Sequence, residues 1–337
     1  MTIKDVAKHC GVSVSTVSRV LNGRPDVRQD VRDRVLRAVE ELGYMPNSSA
    51  RDLVSRQSDA IGVVVRGTGN LFFSAILKTV AAEIDRRGYT MVMRFIDPLD
   101  DEIRAGALLE REKKLRGLLF LGGRFDYSPA QLSPVRVPYV LVSYTNVFGT
   151  LDEQSYSSVS IDDYRTAYRA VETLIRRGHR RIAAVVSSSC DRSVSELRTR
   201  GYRQALADNG IAFDPALLEE TGGDFSMPGT YEGVRRVLSR AQDFTAVFTL
   251  SDTTGIAALK ALEDAGKRVP QDVSVIAIDG IEVSAYVSPV LTTMVQPAEE
   301  MGRESVRILT DMLEKRAGAQ HLRLEAGLRE GGSVKSL

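Results

Sequence analysis

Residues 2–23 constrain the fold most. Thr2-Ile3-Lys4-Asp5-Val6-Ala7 leads through Gly11-Val12-Ser13-Val14-Ser15-Thr16-Val17-Ser18-Arg19-Val20-Leu21-Asn22-Gly23, two short helical patterns split by a glycine-containing turn. Thr2 and Asp5 have capping-box spacing, in which the Thr hydroxyl takes an orphan amide of the first turn. Ile3, Val6, Ala7 and Cys10 recur at helical spacing and share one face. Gly11 then ends the helix, where a positive φ is needed that glycine adopts freely. Ser13 stands where it caps the second helix, which turns Val17, Val20 and Leu21 inward and leaves Val14, Ser15 and Arg19 facing out. A third pattern over residues 29–42 offers Val31, Val35, Leu36 and Val39 to the same core. The expectation is a small all-α helix-turn-helix domain, a fold that reads DNA through its second helix.

From Ala60 onward the texture changes. Short apolar runs at residues 60–65, 90–95, 117–121, 139–142, 181–186, 246–250 and 273–278 read as buried strands, without the strict alternation of a half-exposed sheet. Between them, helical stretches end in glycine and feed the next strand at Arg87-Gly88-Tyr89, Arg177-Gly178-His179 and Ala265-Gly266-Lys267. This punctuation predicts an α/β body of repeated βα units in two similar halves. In such open sheets ligands sit beyond the carboxyl ends of the strands.

Several classes are excluded or weakened. The net charge of +1 hides a mild asymmetry: residues 1–58 carry 10 Lys and Arg against 7 Asp and Glu, leaving 35 against 37 in the remainder. That basic excess suits phosphate contact but would not identify a DNA binder by itself. Cys10 and Cys190 suggest no disulfide framework, and His9, His179 and His321 lack metal spacing, so neither metal nor cofactor is expected. The absence of a long apolar span and of a signal-peptide core gives the expectation of a cytoplasmic protein with no membrane association. Gly67 and Gly69 hint at a dinucleotide loop, but Phe72 occupies the third glycine position and blocks the approach a pyrophosphate needs. The serine-rich pieces 155–160 and 187–189 lack a nucleophile elbow, and the chain is read as a non-enzyme. The basic cluster at residues 176–181 is read as a solvated helix-to-strand corner rather than a second DNA site.

The near-continuous stretch Thr2 to Leu53, including Glu40-Glu41-Leu42-Gly43-Tyr44-Met45-Pro46-Asn47, resembles the amino-terminal signature of the lactose-repressor (LacI/GalR) family of bacterial transcription regulators. The resemblance implies a DNA-binding domain at residues 1–46, a hinge helix at 47–58 and an effector-binding and dimerisation domain at 59–337. The last comprises two Rossmann-like subdomains of the periplasmic-binding-protein type, one of about residues 59–160 and 294–321, the other of about 161–293 and 322–337. The chain is expected to cross between them near Ser160, Met294 and Leu322.

The implied function is a sequence-specific regulator, a repressor, acting as a homodimer on a pseudo-palindromic double-stranded operator under control of a small-molecule effector, a sugar. Val14, Ser15 and Arg19 would meet base edges, while Ser13, Thr16, Ser18 and Asn22 lie nearer the phosphates. Ala50, Arg51 and Leu53 match the hinge positions that enter the minor groove, with Leu53 wedging a base step. Asn70, Phe72, Phe73, Arg198, Phe225, Ser251, Asp252 and Asp279 match the effector positions. The rival readings are a small-molecule-binding protein, which leaves the amino-terminal motif unused, and an NAD-dependent enzyme, which needs the glycine loop that Phe72 interrupts.

Overall fold

A computed structural model describes residues 2–21, 26–44, 58–67, 70–98, 100–223 and 225–337. Asn22, Ala50, Arg51 and Leu53, expected DNA contacts, lie outside the described residues, as does Gly69 of the glycine loop. The chain divides into a unit of residues 1–58 and one of 59–337.

In the first unit the described residues form α1 (Ile3–Cys10), α2 (Val14–Leu21) and α3 (Gln29–Glu41). The Asp5 carboxylate accepts from both the Thr2 amide, at 2.8 Å, and the Thr2 hydroxyl, at 2.9 Å, so at this cap the carboxylate is the acceptor of both bonds. Gly11 closes α1 at φ +62°. The core joins Val6, Ala7, Cys10, Val17, Val20, Val35 and Ala38, with Val31, Val39 and Leu42 against it. Leu36 does not join it and is 47% exposed. The inward stripe of α3 runs Val31, Val35, Ala38, Val39, Leu42, and a residue one step past Val35 is rotated about 100° off that stripe.

The second unit is built on two six-stranded sheets among the described residues. The first contains β1 (Ala60–Arg66), β2 (Thr90–Ile96), β3 (Gly117–Leu121), β4 (Tyr139–Val142) and β5 (Ser157–Ile161). The helices α4 (Leu71–Arg86), α5 (Glu102–Lys113) and the short α6 (Pro129–Leu132) connect its early strands. The second contains β6 (Ile182–Val186), β7 (Leu218–Glu220), β8 (Ala246–Thr249), β9 (Ser274–Asp279) and β10 (Thr292–Val295). Here α7 (Asp163–Arg176), α8 (Val194–Asp208), α9 (Met227–Arg240) and α10 (Asp252–Asp264) alternate with the strands, and α11 (Ala298–Leu313) follows β10. β11 (His321–Leu324) returns to the first sheet beside β5, and β12 (Gly327–Arg329) joins the second beside β10. All ladders are parallel except β10 with β12.

The chain therefore passes between sheets after Ile161, after Val295 and between Leu324 and Gly327. The third passage begins after Leu324, two residues beyond Leu322, because β11 stays in register with β5 to the pair Leu324↔Ile161. β2 departs from the buried pattern expected of it: it is the outermost strand, and Met93 and Phe95 are 43% and 46% exposed. β5 comes from the serine-rich piece. Its hydroxyls are accommodated individually: Ser157 donates to Met312 Sδ, and Ser158 bonds His321 Nδ1 at 2.8 Å.

The basic corner is a structural knot. Arg177 reaches Glu330, Arg181 reaches Asp214 and Asp243, and buried His179 bonds Thr245 Oγ1 and the Lys335 carbonyl. Among the described residues, no helix is long and apolar enough to cross a membrane, and no group of three potential ligands could hold a metal ion.

Candidate functional site

The first unit presents the outer face of α2. Val14, Ser15 and Arg19 are exposed, while Val17 and Val20 anchor the helix from behind. Ser13 Oγ accepts from the Thr16 amide at 3.1 Å, the N-cap that fixes where α2 begins. The same oxygen is 2.8 Å from the hydroxyls of both Ser15 and Thr16, making a cluster of hydroxyls at the helix start. Arg19 Nη1 lies 3.6 Å from Asp26, with the two side chains 62% and 57% exposed. Such an exposed pair contributes about 0–1 kcal/mol, so a phosphate or a guanine edge can replace the carboxylate. Ser18 is half-buried beside them.

In the second unit the carboxyl ends of the two sheets meet. The Phe125 amide donates to the Arg192 carbonyl at 2.9 Å, and Leu197 of α8 packs among Phe125, Tyr127 and Tyr144 of the first lobe. Arg200 lies over the Phe148 ring at 4.8 Å. Elsewhere along the cleft Ile281, beyond β9, enters the first lobe's core with Phe72 and Phe73.

A buried ionic cluster occupies the second lobe's side. Arg198 Nε donates to Asp163 Oδ1 at 2.9 Å, with Nη2 2.8 Å from the same oxygen. Its Nη1 donates to the Leu250 carbonyl and lies 3.7 Å from Asp279. Burial pushes the Asp163 carboxyl up, against the pull of the Arg198 charge. Burial also raises Asp279, to about 7, with Arg198 opposing and Asp252 reinforcing the shift. Asp279 holds φ at +133°, a region costly for a side-chain-bearing residue, of order 1–3 kcal/mol. Gln296 secures it twice, by an amide bond to the Asp279 carbonyl at 3.0 Å and by Nε2 to Oδ1 at 2.7 Å.

Asp252 is an organising centre beneath the surface. It accepts from the Ile281 amide at 2.9 Å, from Ser284 at 2.5 Å and from Thr293. Ser251 Oγ is committed as the N-cap of α10, accepting from Thr254 N at 3.2 Å. Asn70 plays the same part for α4, accepting from Phe72 N at 3.0 Å. Phe72 and Phe73 are both core residues, their ring centroids 5.8 Å apart, and Phe225 is half-buried against the second lobe's core. The structure thus joins Arg198 to Asp279 directly and links Asp252 to the first lobe through Ile281. It uses Asn70 and Ser251 to shape helix starts.

Sequence reasoning missed Asp163 and Gln296, together with Ser187 at the end of β6. Ser187 Oγ and Gln296 Oε1 are buried without a hydrogen-bond partner among the described residues, a costly state that a polar ligand relieves. For Ser187 and Gln296 the available signal was positional, since each is the residue directly after a buried strand, much as Asp279 ends β9; Asp163 carried no such signal. A further polar group closes the first lobe's end: Arg66 at the end of β1 meets the buried Glu102 at 2.9 and 3.0 Å, and Tyr127 donates its hydroxyl to the same carboxylate. The Tyr127 hydroxyl is held well above its ordinary pKa by burial and by the Glu102 charge.

Comparison with known proteins fits both units. Residues 2–47 match the family of bacterial regulatory proteins called lacI, and residues 155–334 match a periplasmic binding protein-like domain. The chain is 37% identical over 335 residues to the HTH-type transcriptional regulator MalR of Clostridium butyricum, covering 99% of each. It is 36% identical over 317 residues to the regulator CelR of Thermobifida fusca, covering 93% of this chain and 92% of that one. Among solved structures, a CelR–cellobiose complex superposes with a TM-score of 0.73 at 33% identity over 99% of each chain. The lac repressor dimer bound to operator and the anti-inducer ONPF superposes at 0.82, with 26% identity and 99% of each chain covered.

Proposed function

Because the chain belongs to the lacI family of bacterial regulatory proteins, we propose that it is a homodimeric repressor whose α2 reads a pseudo-palindromic operator and whose cleft binds a sugar. It is a DNA-binding transcriptional regulator and not an enzyme, which removes the NAD-dependent reading and the binding protein without a DNA role. A regulator of this kind works in the cytoplasm, where the chromosome is.

The observation that carries the effector reading is the unsatisfied buried oxygen Gln296 Oε1, whose amide is bonded to a strained aspartate 3.7 Å from an arginine, with a second unsatisfied oxygen, Ser187 Oγ, at the end of β6. Sugar hydroxyls both donate and accept, so they suit Gln296 and Asp279 as acceptors and the remaining Arg198 donors. Phe225 offers a ring for a sugar's C–H face. Arg198, Phe225, Asp279 and Gln296 form the contact set of this reading, with Asn70, Phe72, Phe73, Ser251 and Asp252 shaping the walls. Val14, Ser15 and Arg19 read bases, Ser13, Thr16, Ser18 and Asn22 hold phosphates, and Ala50, Arg51 and Leu53 of the hinge enter the minor groove. Domain limits at 1–46, 47–58 and 59–337 belong to the same reading.

Exposed apolar groups support the dimer. Leu71, Met93 and Phe95 stand out from the first lobe, and Val283, Val290 and the 81% exposed Tyr286 from the second. The test is fluorescence anisotropy on the gene's own promoter fragment, with cellobiose, ribose and a panel of other mono- and disaccharides added in turn. A sugar that shifts operator affinity at least tenfold, with the shift lost in Gln296→Leu, bears the reading out. Operator affinity unchanged in Arg19→Ala, or no sugar response anywhere in the panel, overturns the corresponding half.

A further inference from the structure

Away from the cleft, a cavity of about 200 Å³ opens between the two passages that join β5 to α7 and β11 to β12. Asp162 lines it from the first passage and Glu325 from the other, with Arg165, Thr166 and Arg169 on α7 and Arg323 near the end of β11 completing the lining. Three guanidiniums thus face two carboxylates. Asp162 is already engaged, capping α7 by accepting from the Arg165 amide at 2.9 Å and standing 3.7 Å from Arg323. Arg169 is planted on the wall by a 2.9 Å bond to the Ala326 carbonyl. The Arg165 side chain makes no hydrogen bond or ion pair among the described residues. Thr166 is only 4% exposed, yet its hydroxyl donates to no protein atom among the described residues.

An unpaired guanidinium and the unpartnered hydroxyl of a 4% exposed threonine, both lining one cavity on the first turn of a helix, are the donor set that a tetrahedral oxyanion takes. The volume is below the 300–1,000 Å³ usual for organic ligands and holds about six or seven waters at about 30 Å³ each, which fits an ion with part of its shell. We propose that this cavity is a phosphate-type oxyanion site, distinct from the effector cleft, that pins two passages between the lobes. Glu325, exposed and without a partner among the described residues, is the like charge in the lining that opposes the anion. Both passages must rearrange when the lobes change their mutual angle, so an anion bridging Arg165 and Arg323 favours the lobe arrangement in which they converge.

The test is thermal unfolding of the full chain in the presence of inorganic phosphate, with sodium chloride at matched ionic strength as the reference. The wild type shows a saturable rise in Tm. The Arg165→Ala/Arg323→Ala variant keeps its Tm in chloride, since both side chains are exposed, and binds phosphate at least tenfold more weakly. Glu325→Gln binds severalfold more tightly, an opposite shift that damage to the fold cannot produce. Glycerol 2-phosphate distinguishes two sources: binding equal to phosphate points to a phosphate group on a larger molecule, and tenfold weaker binding points to the free ion. A rise in Tm that never saturates, or one that survives in the double variant, overturns the proposal. Should the double variant lose Tm in chloride, Arg165→Ala and Glu325→Gln decide by their opposite shifts, and phosphate affinity unchanged in both overturns it.

Discussion

Replacing Arg198 by methionine removes the charge from the buried cluster while filling most of its volume. Asp163 is then left in the interior with no cation, and Asp279 loses the guanidinium 3.7 Å away. A carboxyl escapes that cost by taking up a proton. At pH 7 protonation of a carboxyl with an ordinary pKa near 3.9 costs about 4 kcal/mol, at about 1.4 kcal/mol per pH unit. This agrees with the 3–5 kcal/mol typical of breaking a buried pair from one side. Asp279 adds little, because its carboxyl already titrates at about 7.

The same arithmetic gives about 1.5 kcal/mol at pH 5, so the penalty shrinks in acid. Asp163→Asn/Arg198→Met removes the stranded charge as well and recovers all but about 1–2 kcal/mol. Near-UV circular dichroism in urea suits the assay: there is no Trp, and ten of the eleven tyrosines lie beyond residue 58, so the signal reports the second unit. A loss below about 1 kcal/mol at pH 7, an equal loss at pH 5, or a double variant no more stable than the single one refutes the reasoning.

Asp279→Asn tests the titration at the cleft. Its folded pKa, about 7, lies above the ordinary 3.8 of an unfolded aspartate, so its contribution is fully present below about pH 3.8 and is lost as pH rises through 7. The stability difference between wild type and variant therefore falls with pH by at most about 1.4 kcal/mol per unit across that window; urea midpoints that keep a constant gap exclude the shift. Gly201→Ala forces α7 and α8 apart, since a Cβ there would meet the Tyr164 carbonyl at 2.3 Å and the Tyr168 amide at 3.0 Å. The cost is about 1–3 kcal/mol by urea titration, and a neutral result denies the close crossing. Ser13→Ala removes the cap of α2 and costs about 1 kcal/mol, measured as faster amide exchange in α2, while Ser13→Asp retains protection. Equal exchange in both variants removes the capping role.

Where sequence carried a strong period, it located elements to within a residue or so. The run at residues 246–250 appears as β8 (Ala246–Thr249), and Gly11 adopts the positive φ that its position demanded. β5 escaped because its serines carry no apolar signal; Ser157 and Ser158 are buried only because α11 and β11, more than 150 residues later, bring Met312 and His321 to their hydroxyls. Leu36 was misjudged on hydrophobicity when phase on the helix decided its direction. Arg198 and Asp279 were legible as positions, yet their partners were not. Asp163 looks like an ordinary first-turn acid of α7, and only the packing of α7 on α8 makes it the counter-ion of Arg198. In sequence Ser251 reads only as an effector position, and its capping of α10 is set by the backbone that brings Thr254 N to its hydroxyl.

Ile281 has an implication for engineering. Only Gly280 separates it from Asp279, its amide is fixed by Asp252, and its side chain is housed among Phe72 and Phe73 of the other lobe. If Asp279 contacts the effector as proposed, the chemistry that senses the ligand and the plug that seats one lobe in the other are one short piece of chain. Retargeting such a sensor by exchanging Asp279 alone would install a new lock on an old hinge plate. Residues 279–281 and the phenylalanine wall they enter form the smallest cassette that can be transplanted intact.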